Sequence, residues 1–199
     1  MGLGLGFGPN PRIVQPSQSK IGVDVCGSFY ASIRWAYTRF WDNRELAHEV
    51  LAKILNKLGR KDQLVFYIDK RPAVEKRQTH DRRRQKRKGA VETAEKGLEL
   101  IEARIRAGQR LRRQYFLTCR EAINSVFHWS FDVRHEFVQY LLKEQYDVIF
   151  CDTEADPRIA EDCKAEDVVV SRDSDFLGYQ TIRTIWRAVG HASANKCLV

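Results

Sequence analysis

Short apolar runs alternate with longer stretches of helical periodicity along most of the chain. The apolar runs predict four buried strands, the first of which continues into a turn, within residues 20–29, 63–69, 146–151 and 167–171. The helical periodicity predicts helices at residues 31–59, through most of the segment after residue 70, at 121–145 and at 157–166. Strands that alternate with helices predict an α/β fold, with a mostly parallel central sheet and helices on both faces.

Length and composition predict one globular domain. The chain has 199 residues, of which 43% are hydrophobic, which is enough for one ordinary core. Residues 1–19 are rich in Gly, Pro and Ser and are expected to form a flexible tail, the domain is expected to span residues 20–190, and residues 191–199 are left unassigned. No apolar run approaches the roughly 20 residues of a membrane span, so we expect no membrane partner. Five cysteines without CxxC spacing favour a reduced, intracellular compartment over a disulfide framework or a zinc site.

The excess positive charge lies in one segment. The net charge is +8, and residues 70–121 hold 17 Lys or Arg against 7 Asp or Glu, while the rest of the chain is close to neutral. So basic a run is either a solvated face or a surface for a polyanion, of which nucleic acid is the foremost candidate. The densest part is "KRQTHDRRRQKRK" at residues 76–88, and its candidate nucleic-acid contacts are Arg82, Arg84, Lys86, Arg87 and Lys88.

Acidic side chains stand at or just after the end of every predicted strand. They are Asp24, Asp69, Glu154, Asp156, Asp173 and Asp175. Taken singly, each is more simply a turn residue, a helix cap or a first-turn acid favoured by the helix dipole. Taken together, they are expected to converge on one edge of the sheet, because ligands of open parallel sheets bind outside the carboxyl ends of the strands.

Six converging acids would repel one another unless cations lay between them. A ligand set of oxygens alone, without His or Cys, suits Mg²⁺, with Mn²⁺ as the alternative, rather than zinc. Two such ions, about 3.5–4 Å apart, are a common apparatus for hydrolysing phosphodiesters. The acids therefore predict a two-metal site.

Four segments, in order, resemble the flap endonuclease (XPG-like) group of structure-specific 5′ nucleases, within the larger PIN-like fold. These segments are "GVDVCGSFY", "VFYIDKRPAVEKRQTHDRR", "TEAD" and "RDSDFLGY", and the resemblance covers about residues 20–180. The chain departs from the family at Lys70, where Gly is usual, and at Asp156, which replaces a Glu. It also ends 24 residues after Asp175, before the helix–two-turn–helix region and the seventh metal carboxylate that family members carry.

The resemblance implies a PIN-like three-layer fold with a basic helical arch at residues 70–120, built of two helices of about 20 residues. It implies that the six acids hold the metals, that Lys76 and Arg83 face the scissile phosphate, and that Tyr30 stacks on a base near the cut. The expected substrate is DNA with a 5′ flap or branch, cut by a two-metal endo- or exonuclease mechanism.

Two other functions stay open. One is a truncated or degenerate PIN-like domain that binds nucleic acid without cutting it, and the other is an RNA-directed PIN-like nuclease. A DNA substrate and the stretch "RRRQKRK" favour a nuclear location. A monomer is the favoured state.

Overall fold

The computed structural model describes residues 19–70, 77–189 and 196–198. The strands are β1 (Ile21–Asp24), β2 (Leu64–Asp69), β3 (Asp147–Cys151), β4 (Val168–Val170), β5 (Thr184–Val189) and β6 (Lys196–Leu198). The helices are α1 (Val25–Arg39), α2 (Arg44–Leu55), α3 (Arg77–Arg106), α4 (Arg113–Val126), α5 (Phe131–Lys143) and α6 (Ala155–Asp162).

The strands form one sheet in the order β3-β2-β1-β4-β5-β6. The first five are parallel, with Val23 of β1 opposite Phe66 of β2 and Val170 of β4, and only β6 runs antiparallel to its neighbour. The predicted α/β fold with a mostly parallel sheet is confirmed. Strand β5 was not predicted, because "TIWRAV" places an arginine among partly buried residues instead of a continuous apolar run. Strand β6 lies in the stretch that the sequence left unassigned.

Alternating strand residues build two hydrophobic clusters, one on each face of the sheet. In β2, Leu64, Phe66 and Ile68 pack with α1, α2 and α5, whereas Val65 and Tyr67 face α6. This alternation follows from the two-residue period of a strand. The molecule therefore has three layers, and the predicted helices on both faces are present.

Two predictions for the first helical region are wrong. The turn predicted after β1 is absent, since α1 begins directly at Val25 with Asp24 as its N-cap. The helical pattern at residues 31–59 is two helices rather than one. Asn43 begins the second, because its Oδ1 accepts a hydrogen bond of 2.9 Å from the Leu46 amide.

Helices α3 and α4 form a hairpin that contributes no buried side chain to either cluster within the described residues. The two helices lie close together at Gly97, where an added Cβ would make ordinary van der Waals contact with the Cβ of Cys119 at 3.5 Å. The predicted pair of equal helices is wrong in detail. Helix α3 has 30 residues, about 45 Å, and α4 has 14. None of the described side chains between residues 78 and 93 is buried. No helix in the described parts of the chain combines the length and the apolar character needed to cross a membrane.

A buried histidine in the first cluster gives a prediction about stability. His48 is 6% exposed and packs against Tyr37, Phe137 and Tyr140. Burial, with a smaller contribution from Arg44, lowers the pKa of His48 from 6.5 to about 4. The folded state therefore holds a neutral imidazole, whose contribution is fully present above about pH 6.5 and is lost as the pH falls towards 4. The expected loss in the free energy of unfolding is up to about 3 kcal/mol.

The check is the free energy of unfolding by urea for wild type and His48→Phe between about pH 4 and 7.5. The difference between the two curves isolates the histidine, because carboxylates with raised pKa values titrate in the same window with the opposite sign. If the difference does not change with pH, the charge on His48 is irrelevant to stability.

Candidate active site

The direction in which successive strands are added to the sheet reverses next to β1. The chain passes from β1 outwards to β2 and β3, and then returns to place β4 on the other side of β1. In open parallel sheets, ligands bind in the crevice at such a switch point, outside the carboxyl ends of the strands. Asp24 ends β1 and Ser171 directly follows β4. These two residues therefore flank the place where a ligand is expected.

Asp24 is held in place by two hydrogen bonds. It is 3% exposed, and its Oδ1 accepts a bond of 2.8 Å from the Gly27 amide at the start of α1. Its Oδ2 accepts a bond of 2.9 Å from the hydroxyl of Ser171. The position of this carboxylate requires glycine at residue 27, since a Cβ there would lie 2.1 Å from Oδ2.

Burial and neighbouring carboxylates disfavour the charged form of Asp24. Burial raises its pKa from 3.8 to about 6, and Asp69 and Asp173 add to the rise. The hydrogen bonds from Gly27 and Ser171 act in the opposite direction. The hydrogen bonds at the end of β1 therefore do not fully compensate the negative charge that the carboxylates place there.

Asp69, at the end of β2, is linked to three helices. Its Oδ1 accepts a bond of 2.8 Å from the Ala155 amide in α6, and Arg134 of α5 donates from Nη1 to its backbone oxygen at 2.6 Å. The thiol of Cys26 in α1 lies near the same carboxylate and lowers its pKa. Burial raises the pKa of Asp69, and Glu154 adds to the rise, while the Ala155 amide, Arg134 and Cys26 oppose it.

Asp156 lies in the first turn of α6, and its pKa departs strongly from the ordinary value of an aspartate. Burial raises its pKa from 3.8 to about 7. Asp24, Asp173, Asp69 and Glu154 also contribute to the rise, in decreasing order. Asp156 therefore connects all five acids in one electrostatic cluster, drawn from four strand ends.

The segment after β4 supplies the last two acids. Asp173 accepts a bond of 3.0 Å from the Asp175 amide and so caps a short 3-10 helix at Ser174–Gly178. The Asp173 amide in turn donates to the Ser171 hydroxyl at 3.1 Å. Asp175 is exposed, and it acts with Asp156 on Tyr179, whose pKa is raised first by burial. The pKa shifts therefore link five of the six predicted acids electrostatically, and Asp175 is exposed beside them.

The basic and aromatic candidates are distributed less compactly. Arg83 lies exposed on the first half of α3, with the neighbouring candidates Arg82, Arg84, Lys86, Arg87 and Lys88. Lys76 lies outside the described residues. Tyr30 is 46% exposed on α1, and its hydroxyl donates to the backbone oxygen of Phe127 at 3.2 Å.

Three residues of the site were missed from the sequence. Arg134 is a cation beside Asp69, Ser171 joins two strand ends, and Gly27 makes room for Asp24. Of these three residues, only Gly27 could have been recognised from the sequence, because it stands three residues after Asp24 and next to a segment with helical periodicity. The other two acquire their roles through contacts across 65 and 147 residues of sequence.

The metal site itself stays a prediction. Within residues 19–70, 77–189 and 196–198, no group of three or more His, Cys, Asp or Glu side chains is arranged so that it could hold a metal ion. The carboxylates nevertheless have the chemistry that Mg²⁺ prefers, and the raised pKa values of Asp24 and Asp156 are those of acids that a cation would stabilise.

Comparison with known proteins adds no assignment: no family model matches the chain, and no curated protein matches it.

Proposed function

We propose that this chain is a metal-dependent nuclease domain of PIN-like type that hydrolyses phosphodiester bonds in nucleic acid with unpaired segments, foremost DNA with a 5′ flap or branch. One observation carries the proposal. Five carboxylates from four strand ends form one electrostatically coupled cluster beside the switch point of a parallel sheet. The motif resemblance and the exposed basic helix α3 point to the same substrate class. A DNA substrate would accord with a nuclear location.

The acidic residues would bind the metal ions, and their hydrogen-bond partners would orient them. Asp24, Asp69, Glu154, Asp156 and Asp173 would hold two Mg²⁺ ions, with Asp175 at the edge. Bound Mg²⁺ would act as a Lewis acid on the phosphate and would lower the pKa of a water molecule. Ser171 and the Gly27 amide fix the orientation of the Asp24 carboxylate through hydrogen bonds that leave its other lone pairs free.

The cations would act on the substrate. Arg83 and Lys76 would offer charge to the phosphate in the transition state, where an arginine can donate two parallel hydrogen bonds. The remaining basic side chains of α3 would bind the backbone without regard to sequence.

The test is cleavage of an end-labelled 5′-flap DNA, with a blunt duplex and a single-stranded RNA as parallel substrates. We expect cleavage with Mg²⁺, none in EDTA, and a loss of activity in Asp173→Ala. Asp62→Ala is the matched control, because Asp62 is an exposed acid just before β2, at the opposite end of that strand from Asp69. Equal activity in EDTA, or equal loss in both variants, contradicts the proposal.

A binding module that does not cut is the second candidate. The exposed basic side chains of α3 favour it, because they can bind a polyanion without any metal ion. It predicts that Asp173→Ala binds nucleic acid as wild type does, with a strong dependence on salt, and that no substrate is cleaved under any of the conditions above.

A further inference from the structure

A strip of aromatic side chains surrounds the loop between α4 and α5. The sequence there is "FHWSF" at residues 127–131. We define the α5 aromatic strip as Phe127, Phe131, His135 and Phe150. Phe131 is 40% exposed, and its ring stacks on His135 at 6.1 Å and on Phe150 at 5.9 Å. Phe127 and Phe150 are half-buried against the main core, so the exposed part of the strip is formed by Phe131 and His135.

A buried residue in the middle of the loop fixes this surface. Trp129 is 5% exposed and packs against Tyr37 and Phe137 in the main core. Ser130 then caps α5, with its Oγ accepting a bond of 3.4 Å from the Val133 amide. Because the buried Trp129 anchors the loop in the core, Phe127 and Phe131 on either side of it are held in fixed positions.

The strip adjoins the carboxylate cluster on one side and Tyr30 on the other. Arg134 lies between Val133 and His135 in α5 and donates to the backbone oxygen of Asp69. Lys70, the residue after Asp69, places its Nζ 5.9 Å from the centre of the Phe150 ring. At the other end, the Tyr30 ring lies 5.9 Å from that of Phe127. Two cations, Lys70 and Arg134, therefore lie on the Asp69 side of the strip, and Lys70 also pairs with Asp152 at 3.0 Å.

This surface has the composition of a platform for unpaired bases. Bases stack on aromatic side chains whatever their identity, and nearby Lys and Arg hold the phosphates between them. The hairpin of α3 and α4 leads into the loop and carries a basic excess, nearly all of it in α3, which suits a polyanion better than an apolar protein partner. A paired duplex hides its base faces and could not use the stacked rings.

We propose that the α5 aromatic strip binds an unpaired segment of nucleic acid by base stacking, with the exposed ring of Phe131 as its main platform. This inference rests on the proposed function, because it says where an unpaired strand of the substrate binds, namely beside Asp69 in the same site. DNA and RNA share the chemistry that the strip would recognise, so the experiment includes both.

The test measures affinity by fluorescence anisotropy in EDTA, where cleavage plays no part. The probes are labelled oligo(dT), oligo(U), a duplex and an abasic oligo(dT), each of about 12 nucleotides, a length within the range of single-strand sites. The variants are Phe131→Ala and Phe131→Leu, which keeps an apolar side chain without a ring. Trp41→Ala is the matched control, because Trp41 is 79% exposed and lies outside the strip.

For wild type we expect oligo(dT) to bind at least about fivefold more tightly than its abasic counterpart. Phe131→Ala and Phe131→Leu should each lose most of that preference, while their affinity for abasic oligo(dT) and for duplex stays unchanged. Trp41→Ala should behave as wild type. Comparison of oligo(dT) with oligo(U) assigns the strand to DNA, to RNA or to both.

The inference and the proposed function fail in different ways. If both Phe131 variants keep the full preference for bases while the flap substrate is still cleaved, the inference is overturned and the function stands. If the preference depends on Phe131 but no substrate is cleaved with Mg²⁺, the strip stands and the nuclease does not. If wild type binds the abasic and the normal oligonucleotide equally, no stacking platform exists.

Discussion

Asp24→Asn is expected to abolish metal-dependent cleavage and to stabilise the metal-free protein. Asp24 is the most buried of the five clustered acids, at 3% exposed, and Asp69 and Asp173 raise its pKa beyond the effect of burial. Asn keeps an oxygen for the Gly27 amide but can no longer offer a carboxylate. Cleavage should fall by more than about 100-fold, a loss larger than that typical of residues that only support a metal ligand.

The gain in stability follows from the raised pKa. Wild-type Asp24 stabilises the fold fully below its unfolded pKa of 3.8, and this contribution is lost as the pH rises through about 6. At pH 7.5 the ionised group therefore costs about 3 kcal/mol, of which Asn should recover about 1–2 kcal/mol after the weaker hydrogen bonds are counted. Urea unfolding in EDTA measures the difference. A variant that is less stable than wild type at pH 7.5, or that still cuts, contradicts this account of the site.

Gly27→Ala should destabilise the protein by about 2–4 kcal/mol and remove activity with it. The new methyl group would lie 2.1 Å from Oδ2 of Asp24, so the carboxylate has to leave its place. Loss of the N-cap of α1 costs about 0.5–2 kcal/mol, and the buried hydroxyl of Ser171 loses its acceptor, at a cost of about 1–3 kcal/mol. Thermal and urea unfolding measure the stability, and the flap assay measures the activity.

Gly89→Ala provides the matched control for this substitution. Gly89 is exposed in α3, and nothing lies within 4 Å of the position of its added Cβ. There Ala should stabilise the helix by up to about 1 kcal/mol. If the two alanine variants have similar stabilities, the close approach between Gly27 and Asp24 has no energetic importance.

The sequence predicted the layers of the fold better than its boundaries. Continuous apolar runs such as "LVFYID" are visible without any structure, and the alternation of strands with helices then requires a largely parallel sheet. Asn43 was harder to interpret, because its cap divides a pattern of apolar spacing that would suit one long helix. Strand β5 was missed because its burial depends on neighbours rather than on its own composition.

The acids of the site were predictable because strand ends are predictable. Once a parallel sheet is expected, Asp24, Asp69 and Asp173 must lie along one edge of it, and the structure adds their electrostatic coupling. Arg134 and Ser171 were not predictable, since an arginine in an amphipathic helix and a serine after a strand are usually solvent-exposed. What makes them part of the site is the packing of α5 and the pairing of β4, which no local pattern contains.

The hydrogen bond between Ser171 and Asp24 spans 147 residues of the chain. Contacts between such distant residues require the closure of a large loop, and parallel pairings of this kind form slowly compared with hairpins or helices. The hairpin of α3 and α4, by contrast, depends on neighbours in sequence and can form early. During refolding, the basic surface should therefore form before the acidic cluster, so that under the proposed function binding of nucleic acid would precede cleavage.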